Sequence, residues 1–228
     1  MNDKQLVANA AAAQIQDGML VGLGTGSTAN FFIEELARRR TEEGLLVTAV
    51  SSSTVSAIKA KALGLPLVAM EQVDRMDLYV DGTDEITSDL TLLKGRGYDL
   101  VREKLLARAA DRFIVVADPS KKVARIGERF PIPVEVMPFA WQLVKHRLEN
   151  LGGKGGLRPN AVGDGLAVTS HGSLVLDMSF GTEWDSWALD EALNATPGVV
   201  EHGIFQSLAS AVLIALDGQV KEFTGEAG

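Results

Sequence analysis

Short apolar runs recur along this chain with helical patterns between them, and that alternation restricts the fold more than any other feature. The runs are Met19-Leu20-Val21-Gly22-Leu23, Leu46-Val47-Thr48-Ala49-Val50, Leu67-Val68-Ala69, Leu78-Tyr79-Val80 and Phe113-Ile114-Val115-Val116-Ala117. Each is too short for a helix and lacks the apolar–polar alternation of a strand with one wet face, so each reads as a strand covered on both sides. Between them lie helical stretches: alanine-rich Leu6 to Ile15, amphipathic Thr28 to Arg40, Thr54 to Leu63, and Tyr98 to Ala110. Buried strands alternating with helices predict a doubly wound, Rossmann-like α/β domain on a parallel sheet.

The pattern changes after Phe130-Pro131-Ile132-Pro133. Val134–Val136 reads as a strand, Phe139 to Leu151 as a helix, and Gly152 to Gly156 as a glycine-rich turn. Ala167 to Met178 alternates around His171-Gly172-Ser173, as an antiparallel hairpin would. A helix from Trp187 to Asn194 and a strand from Val199 complete a strand–helix–strand–strand–helix–strand order, which predicts a smaller inserted α+β (ferredoxin-like) subdomain. The wholly apolar Ala211–Leu216 returns to the main sheet. The expected division is therefore 1–130 with 207–228, and 131–206 inserted.

Composition narrows the chemistry. Lys and Arg number 22 against 30 Asp and Glu, a net charge of −8, so no nucleic-acid footprint is present. The absence of cysteine excludes disulfides, thiolate metal sites and cysteine nucleophiles. Met1-Asn2-Asp3-Lys4-Gln5 lacks the basic and apolar regions of a signal peptide, and no apolar run has membrane-spanning length. The expectation is a cytoplasmic protein with no membrane partner.

Candidate functional residues gather where apolar runs stop. Leu78-Tyr79-Val80 ends in Asp81-Gly82-Thr83-Asp84-Glu85, two carboxylates three residues apart, and open α/β sheets bind ligands beyond the carboxyl ends of their strands. Lys94 breaks a second apolar run, in Leu92-Leu93-Lys94-Gly95-Arg96-Gly97. Carboxylates with one lysine suggest proton transfer; Mg²⁺ binding by Asp81 and Asp84, or simple turn capping, are the alternatives. Glu103 lies on a mostly apolar helix face with Leu100, Leu106 and Ala107, as a structural ion-pair partner or as a general base whose pKa burial raises. Gly22-Leu23-Gly24-Thr25-Gly26-Ser27-Thr28 opens a helix and reads either as a phosphate cradle or as a plain tight turn. Ser51-Ser52-Ser53-Thr54 caps the next helix or adds hydroxyls to a rim for sugar or phosphate. Asp118-Pro119-Ser120-Lys121 follows the Phe113–Ala117 strand, and its lysine is either a solvated loop residue or a point charge for phosphate.

Taken in order, these segments resemble the type A ribose-5-phosphate isomerase family nearly end to end. The resemblance is carried by Val21 to Ala29, Ala49 to Ser53, Tyr79 to Glu85, Leu93-Lys94-Gly95, Arg102-Glu103-Lys104, Ala117 to Lys121, Phe130 to Val136, His171 to Asp177 and Pro197 to Val200. It implies interconversion of ribose 5-phosphate and ribulose 5-phosphate through a cis-enediolate, with no metal or cofactor, by a homodimer or homotetramer. It assigns the base to Glu103, ring opening and hydroxyl proton movement to Asp81, sugar orientation to Asp84 and enediolate stabilisation to Lys94. Substrate binding falls to Gly24, Thr25, Gly26, Ser27, Thr28, Asp81, Gly82, Asp84, Lys94, Gly95 and Lys121. Two departures stand out. Arg96, Tyr98 and Asp99 occupy positions where the family uses small residues. Val7 stands where some relatives carry a phosphate-binding lysine, so that contact is absent or comes from Lys4. A sugar-phosphate sensor without turnover and a Schiff-base lyase using Lys94 are the alternatives from other classes.

Overall fold

All but one of the apolar runs become strands. A computed structural model describes residues 2–225. In chain order these residues form α1 (Asp3–Ala12), β1 (Leu20–Leu23), α2 (Ser27–Glu42), β2 (Thr48–Ser51), α3 (Thr54–Ala62), β3 (Met76–Asp81), β4 (Glu85–Ile86), β5 (Leu92–Leu93), α4 (Leu100–Ala109) and β6 (Ala110–Ala117). They continue as β7 (Ile132–Val136), α5 (Trp141–Asn150), β8 (Lys154–Leu157), β9 (Leu174–Ser179), α6 (Ser186–Asn194), β10 (Val199–His202), β11 (Ile204–Phe205), β12 (Ala211–Leu216) and β13 (Gln219–Thr224). Among the described residues no helix is long and apolar enough to cross a membrane.

The chain divides into two compact units. The first holds the described residues up to Thr83, Arg102–Lys121 and those from Ser207 on; the second holds Asp84–Val101 and Lys122–Gln206. Residues 84–101, well separated in sequence from the rest of the second unit, are part of it. The reason is strand pairing across a long sequence gap: β4 pairs with β5, and β5 with β11.

The first unit is built on a six-stranded sheet in the order β13-β12-β6-β3-β1-β2. The five strands from β12 to β2 run parallel, and β13 folds back antiparallel on β12. The chain thus starts at β1, adds β2 on one side, then crosses to add β3, β6 and β12 on the other, a doubly wound order. Val21, Leu23, Leu78, Val80, Ile114 and Val116 from the sheet share one core with α1 and α2. On α2 the buried residues Ala29, Phe32, Ile33, Leu36 and Ala37 follow the i, i+3, i+4, i+7, i+8 stripe of an amphipathic helix. Burying each of its larger side chains stabilises the fold by about 1.5–3 kcal/mol. The expected strand Leu67-Val68-Ala69 shrinks to one parallel bridge, Ala49 with Leu67. Pro66 has no N–H to extend the ladder, and it contributes only its carbonyl, to Ala49 N at 2.8 Å.

The second unit holds a four-stranded antiparallel sheet in the order β10-β7-β9-β8. Counted along the βαββαβ segment this is 4-1-3-2, the ferredoxin-like arrangement. Of the glycine-rich stretch expected as a turn, Gly152 lies in one, while Lys154–Leu157 form strand β8, paired with β9. A Cβ at Gly155 would lie 1.9 Å from the carbonyl oxygen of Asp177, so the glycine is there for close strand approach. The hairpin around His171 exists, but its first arm is reduced to isolated bridges, Val168 with Leu174 and Pro159 with Leu166.

Candidate active site

In the first unit, β1 and β3 are neighbours whose chains depart to opposite sides of the sheet, which opens a crevice at their carboxyl ends. Glycines in β1 and just after it let β3 approach. A Cβ at Gly22 would stand 2.6 Å from the Tyr79 ring, and one at Gly24 would stand 2.2 Å from Asp81 Oδ1 and 2.6 Å from Asp81 Cα. Asp81 is fully buried. Its Oδ1 accepts from Thr25 N at 3.0 Å and Gly82 N at 2.7 Å, while Tyr79 Oη donates to Oδ2 at 2.5 Å. Backbone and phenol donors together stabilise the carboxylate in the place where water would otherwise solvate it.

Glu103 belongs to the same unit, on α4, and is only 7% exposed. Just before it, Arg102 donates to the carbonyls of Ser52 (3.1 Å) and Ser51 (3.2 Å) at the end of β2, pinning the first turn of α4. Tyr79 registers both acids. Burial first, then the negative charges of Asp81 and Glu103, push its hydroxyl well above the ordinary phenol range. Tyr79 therefore stays protonated and donates throughout the neutral range.

The helix α2 begins at Ser27, with Gly26 at φ +112° as its N-cap and no side-chain capping bond. Its first N–H groups therefore have no side-chain cap, the arrangement that leaves a helix start available to phosphate. Lys4 Nζ reaches Ser27 Oγ at 2.8 Å, so an ammonium already stands at this helix start, while Val7 is buried in the core. Thr28 lies half-buried in the first turn, and Lys121 half-buried in the short helical turn after β6.

Of the two readings of the hydroxyls after β2, helix cap or ligand rim, the structure realises the cap, at Ser53. Ser51, Ser52, Ser53 and Ser56 are all buried. Thr25 Oγ1 meets the hydroxyls of Ser52 (3.1 Å), Ser53 (2.6 Å) and Ser56 (3.1 Å), and Ser56 Oγ donates to Gly24 O at 2.6 Å. Ser53 also caps α3 through Ser56 N. This network braces the Gly24–Thr25 turn from beneath.

The second unit holds the remaining candidates. The register Glu85 opposite Leu93 sets Asp84 and Lys94 across from each other at one end of the β4–β5 pair, with Asp84 N donating to Leu93 O at 2.9 Å. Lys94 is 4% exposed, its N–H bonded to Gly203 O at 2.9 Å and its ammonium 5.8 Å from the Phe205 ring centre. Gly95 has φ +89° and packs against Leu100. Arg96 stacks its guanidinium 3.9 Å above Phe130 and comes within 3.8 Å of Asp84 Oδ1. Among the described residues no three His, Asp or Glu side chains gather as a metal site would require.

The sequence profile described as Ribose 5-phosphate isomerase A (phosphoriboisomerase A) matches residues 48–219. The curated Ribose-5-phosphate isomerase A of Synechococcus sp. (strain JA-3-3Ab) is 46% identical over 213 residues, 93% of this chain and 92% of that protein. The chain belongs to the ribose 5-phosphate isomerase A family. The Methanothermobacter thermautotrophicus protein of the same name is 45% identical over 93% of each chain. The ribose 5-phosphate isomerase A structure from Methanocaldococcus jannaschii superposes with a TM-score of 0.91 at 38% identity, over 97% of both chains. A D-ribose-5-phosphate isomerase in complex with phospho-erythronic acid superposes at 0.93 with 34% identity, over 98% of this chain and 100% of that one. For a ribose 5-phosphate isomerase A, the supporting residues passed over in the sequence are Tyr79, Arg102 and Glu85. Glu85 is fully buried and accepts from the N–H groups of Gly127, Arg129 and Phe130. Tyr79 was open to detection, because residues two apart on a strand share a face and Tyr79 precedes Asp81 by two.

Proposed function

We propose that this chain interconverts D-ribose 5-phosphate and D-ribulose 5-phosphate, the aldose–ketose step of the non-oxidative pentose phosphate pathway. The observation that carries the assignment of roles is the buried acid pair Asp81 and Glu103, both acting on the Tyr79 hydroxyl. Glu103 takes the proton from C2 of the open aldose and returns it to C1, with a cis-enediolate between the two transfers. Asp81 opens the ring and moves the proton between the O1 and O2 hydroxyls. Asp84 orients the sugar, and Lys94 offsets the enediolate charge, which a buried ammonium does more strongly than one in water. Gly24 to Thr28, Gly82, Gly95 and Lys121 bind the substrate, and Lys4 adds a cation for the phosphate at Ser27. Phospho-erythronic acid, held by the related isomerase, pairs a phosphate with a carboxylate, and the residue set here offers cations and uncapped helix N–H groups for those two anions.

Ketose formation from ribose 5-phosphate in the presence of EDTA is the direct test. Turnover is expected; binding without turnover would assign the chain to sugar-phosphate sensing. The proposal includes a cytoplasmic homodimer or homotetramer. A cysteine-free, acidic chain suits that compartment, and exposed Phe139 and Leu143 give the second unit apolar surface for another copy. Light scattering is expected to return a multiple of the chain mass, and a monomer at micromolar concentration would remove the oligomer from the proposal.

A further inference from the structure

One arginine outside the residues assigned above grips the backbone that follows Lys94. Arg158, just past β8, sends Nη1 to the carbonyl oxygens of Gly95 (3.1 Å), Arg96 (3.2 Å) and Gly97 (2.8 Å). Its other face is fixed by Asp177 on β9, with Nε to Oδ2 at 2.9 Å and Nη2 to Oδ1 at 2.6 Å. Both side chains are largely sheltered, at 11% and 27% exposure, so solvent screens this pair less than a surface ion pair. A planar guanidinium held by a carboxylate on one edge has a fixed direction for the donors on the other, which an ammonium could not supply.

Three consecutive carbonyls drawn to one nitrogen set the orientation of the intervening peptide planes. In a trans peptide the N–H lies opposite the carbonyl. The N–H groups of Arg96, Gly97 and Tyr98 are thereby turned away from Arg158, and successive N–H groups presented on one side favour an anionic oxygen. Gly95 is the hinge of this turn, with φ +89° and no room for a side chain against Leu100. Lys94 precedes it directly, so the direction in which Lys94 leaves β5 and the direction of the next three peptides are set together.

We infer that Arg158, held by Asp177, is a positioning residue for the reaction: it acts through the 94–98 backbone to hold Lys94 and the adjoining N–H groups where charge develops on the sugar oxygens. The inference rests on the proposed role of Lys94. Interactions strengthened only in the transition state lower kcat when lost and leave KM in place. Arg158→Met and Arg158→Lys are therefore expected to lose roughly 10²-fold in kcat, the scale of an ångström-level misplacement, at unchanged KM for ribose 5-phosphate. Affinity for phospho-erythronic acid should fall in parallel with kcat/KM, whereas affinity for inorganic phosphate should not change. Methylguanidine added to Arg158→Ala should restore part of the lost turnover, a response that a purely structural defect would not give. If the Arg158 variants fail to fold, Asp177→Asn leaves the arginine in place but frees its direction, and a smaller kcat loss with the same KM is expected. Wild-type kcat in a folded Arg158→Met, or loss of phosphate and phospho-erythronic acid affinity to the same degree, overturns the inference. Lys94→Gln serves as the control: undiminished turnover in that variant would instead remove the role of Lys94 on which the inference stands.

Discussion

Glu103→Gln is expected to lower kcat by roughly 10³-fold while KM for ribose 5-phosphate stays close to its original value. At about 1.4 kcal/mol per tenfold, the loss corresponds to about 4 kcal/mol of transition-state stabilisation. Glutamine matches glutamate in shape, and α4 is pinned separately by Arg102 on the Ser51 and Ser52 carbonyls, so the helix should not move. What disappears is the carboxylate that in the proposed mechanism takes the C2 proton and gives it back at C1; an amide cannot accept a proton at neutral pH. The Tyr79 hydroxyl also loses one of the two negative charges that raise its pKa. A thermal melt of the variant separates the two kinds of defect, since burying a neutral amide in place of a charge need not reduce stability. Turnover near the original value in folded Glu103→Gln would take the residue out of the mechanism.

How far this site was legible from the chain alone depends on the range of the interaction involved. β1 and β12 lie within uninterrupted apolar runs, and β2, β3 and β6 each hold an apolar run in their buried part and add polar residues at their ends, because strand segments covered on both faces favour continuous apolar sequence. Asp81, Asp84 and Lys94 were visible as charges that end such runs. The misreadings involve contacts between distant segments. Ser52 and Ser53 read equally as a helix cap or a ligand rim until Thr25, 27 and 28 residues earlier, is found bonded to their hydroxyls. Gly155 looks like a turn until β9 lies against it. Arg158 carries no local signal at all, since its three carbonyl partners lie 61 to 63 residues away. Glycine is the hardest residue to read, because one residue type serves turn geometry, close approach and ligand access alike.

Gly24→Ala separates those uses of glycine, and it is expected to lose both stability and turnover. The added methyl would stand 2.2 Å from Asp81 Oδ1, 2.3 Å from its Cγ and 2.6 Å from its Cα. A side chain can rotate out of the way, but a Cα in the middle of a sheet cannot. Relief therefore requires β1 and β3 to separate, against the Gly24 N to Val80 O bond and the shared core of Val21, Leu23, Leu78 and Val80. Overpacking of this kind costs about 1–3 kcal/mol or more. For a chain of this size that corresponds to a fall in Tm of roughly 2–12 °C. Asp81 would also lose its fixed relation to Thr25 N, and kcat/KM should fall by roughly 10²-fold or more. Gly26→Ala provides the contrast: its methyl meets no atom within 4 Å, and only the φ of +112° opposes it. Its stability loss should be confined to the backbone strain of about 1–3 kcal/mol, with Asp81 undisturbed. Calorimetry and steady-state kinetics on the two variants decide the matter. If Gly24→Ala melts and turns over like the parent protein, the spacing of β1 and β3 is not what holds Asp81 in place. If only Gly24→Ala loses the acid's function, the first glycine of the turn serves the carboxylate, and the phosphate-binding role belongs to Gly26 and the helix start behind it.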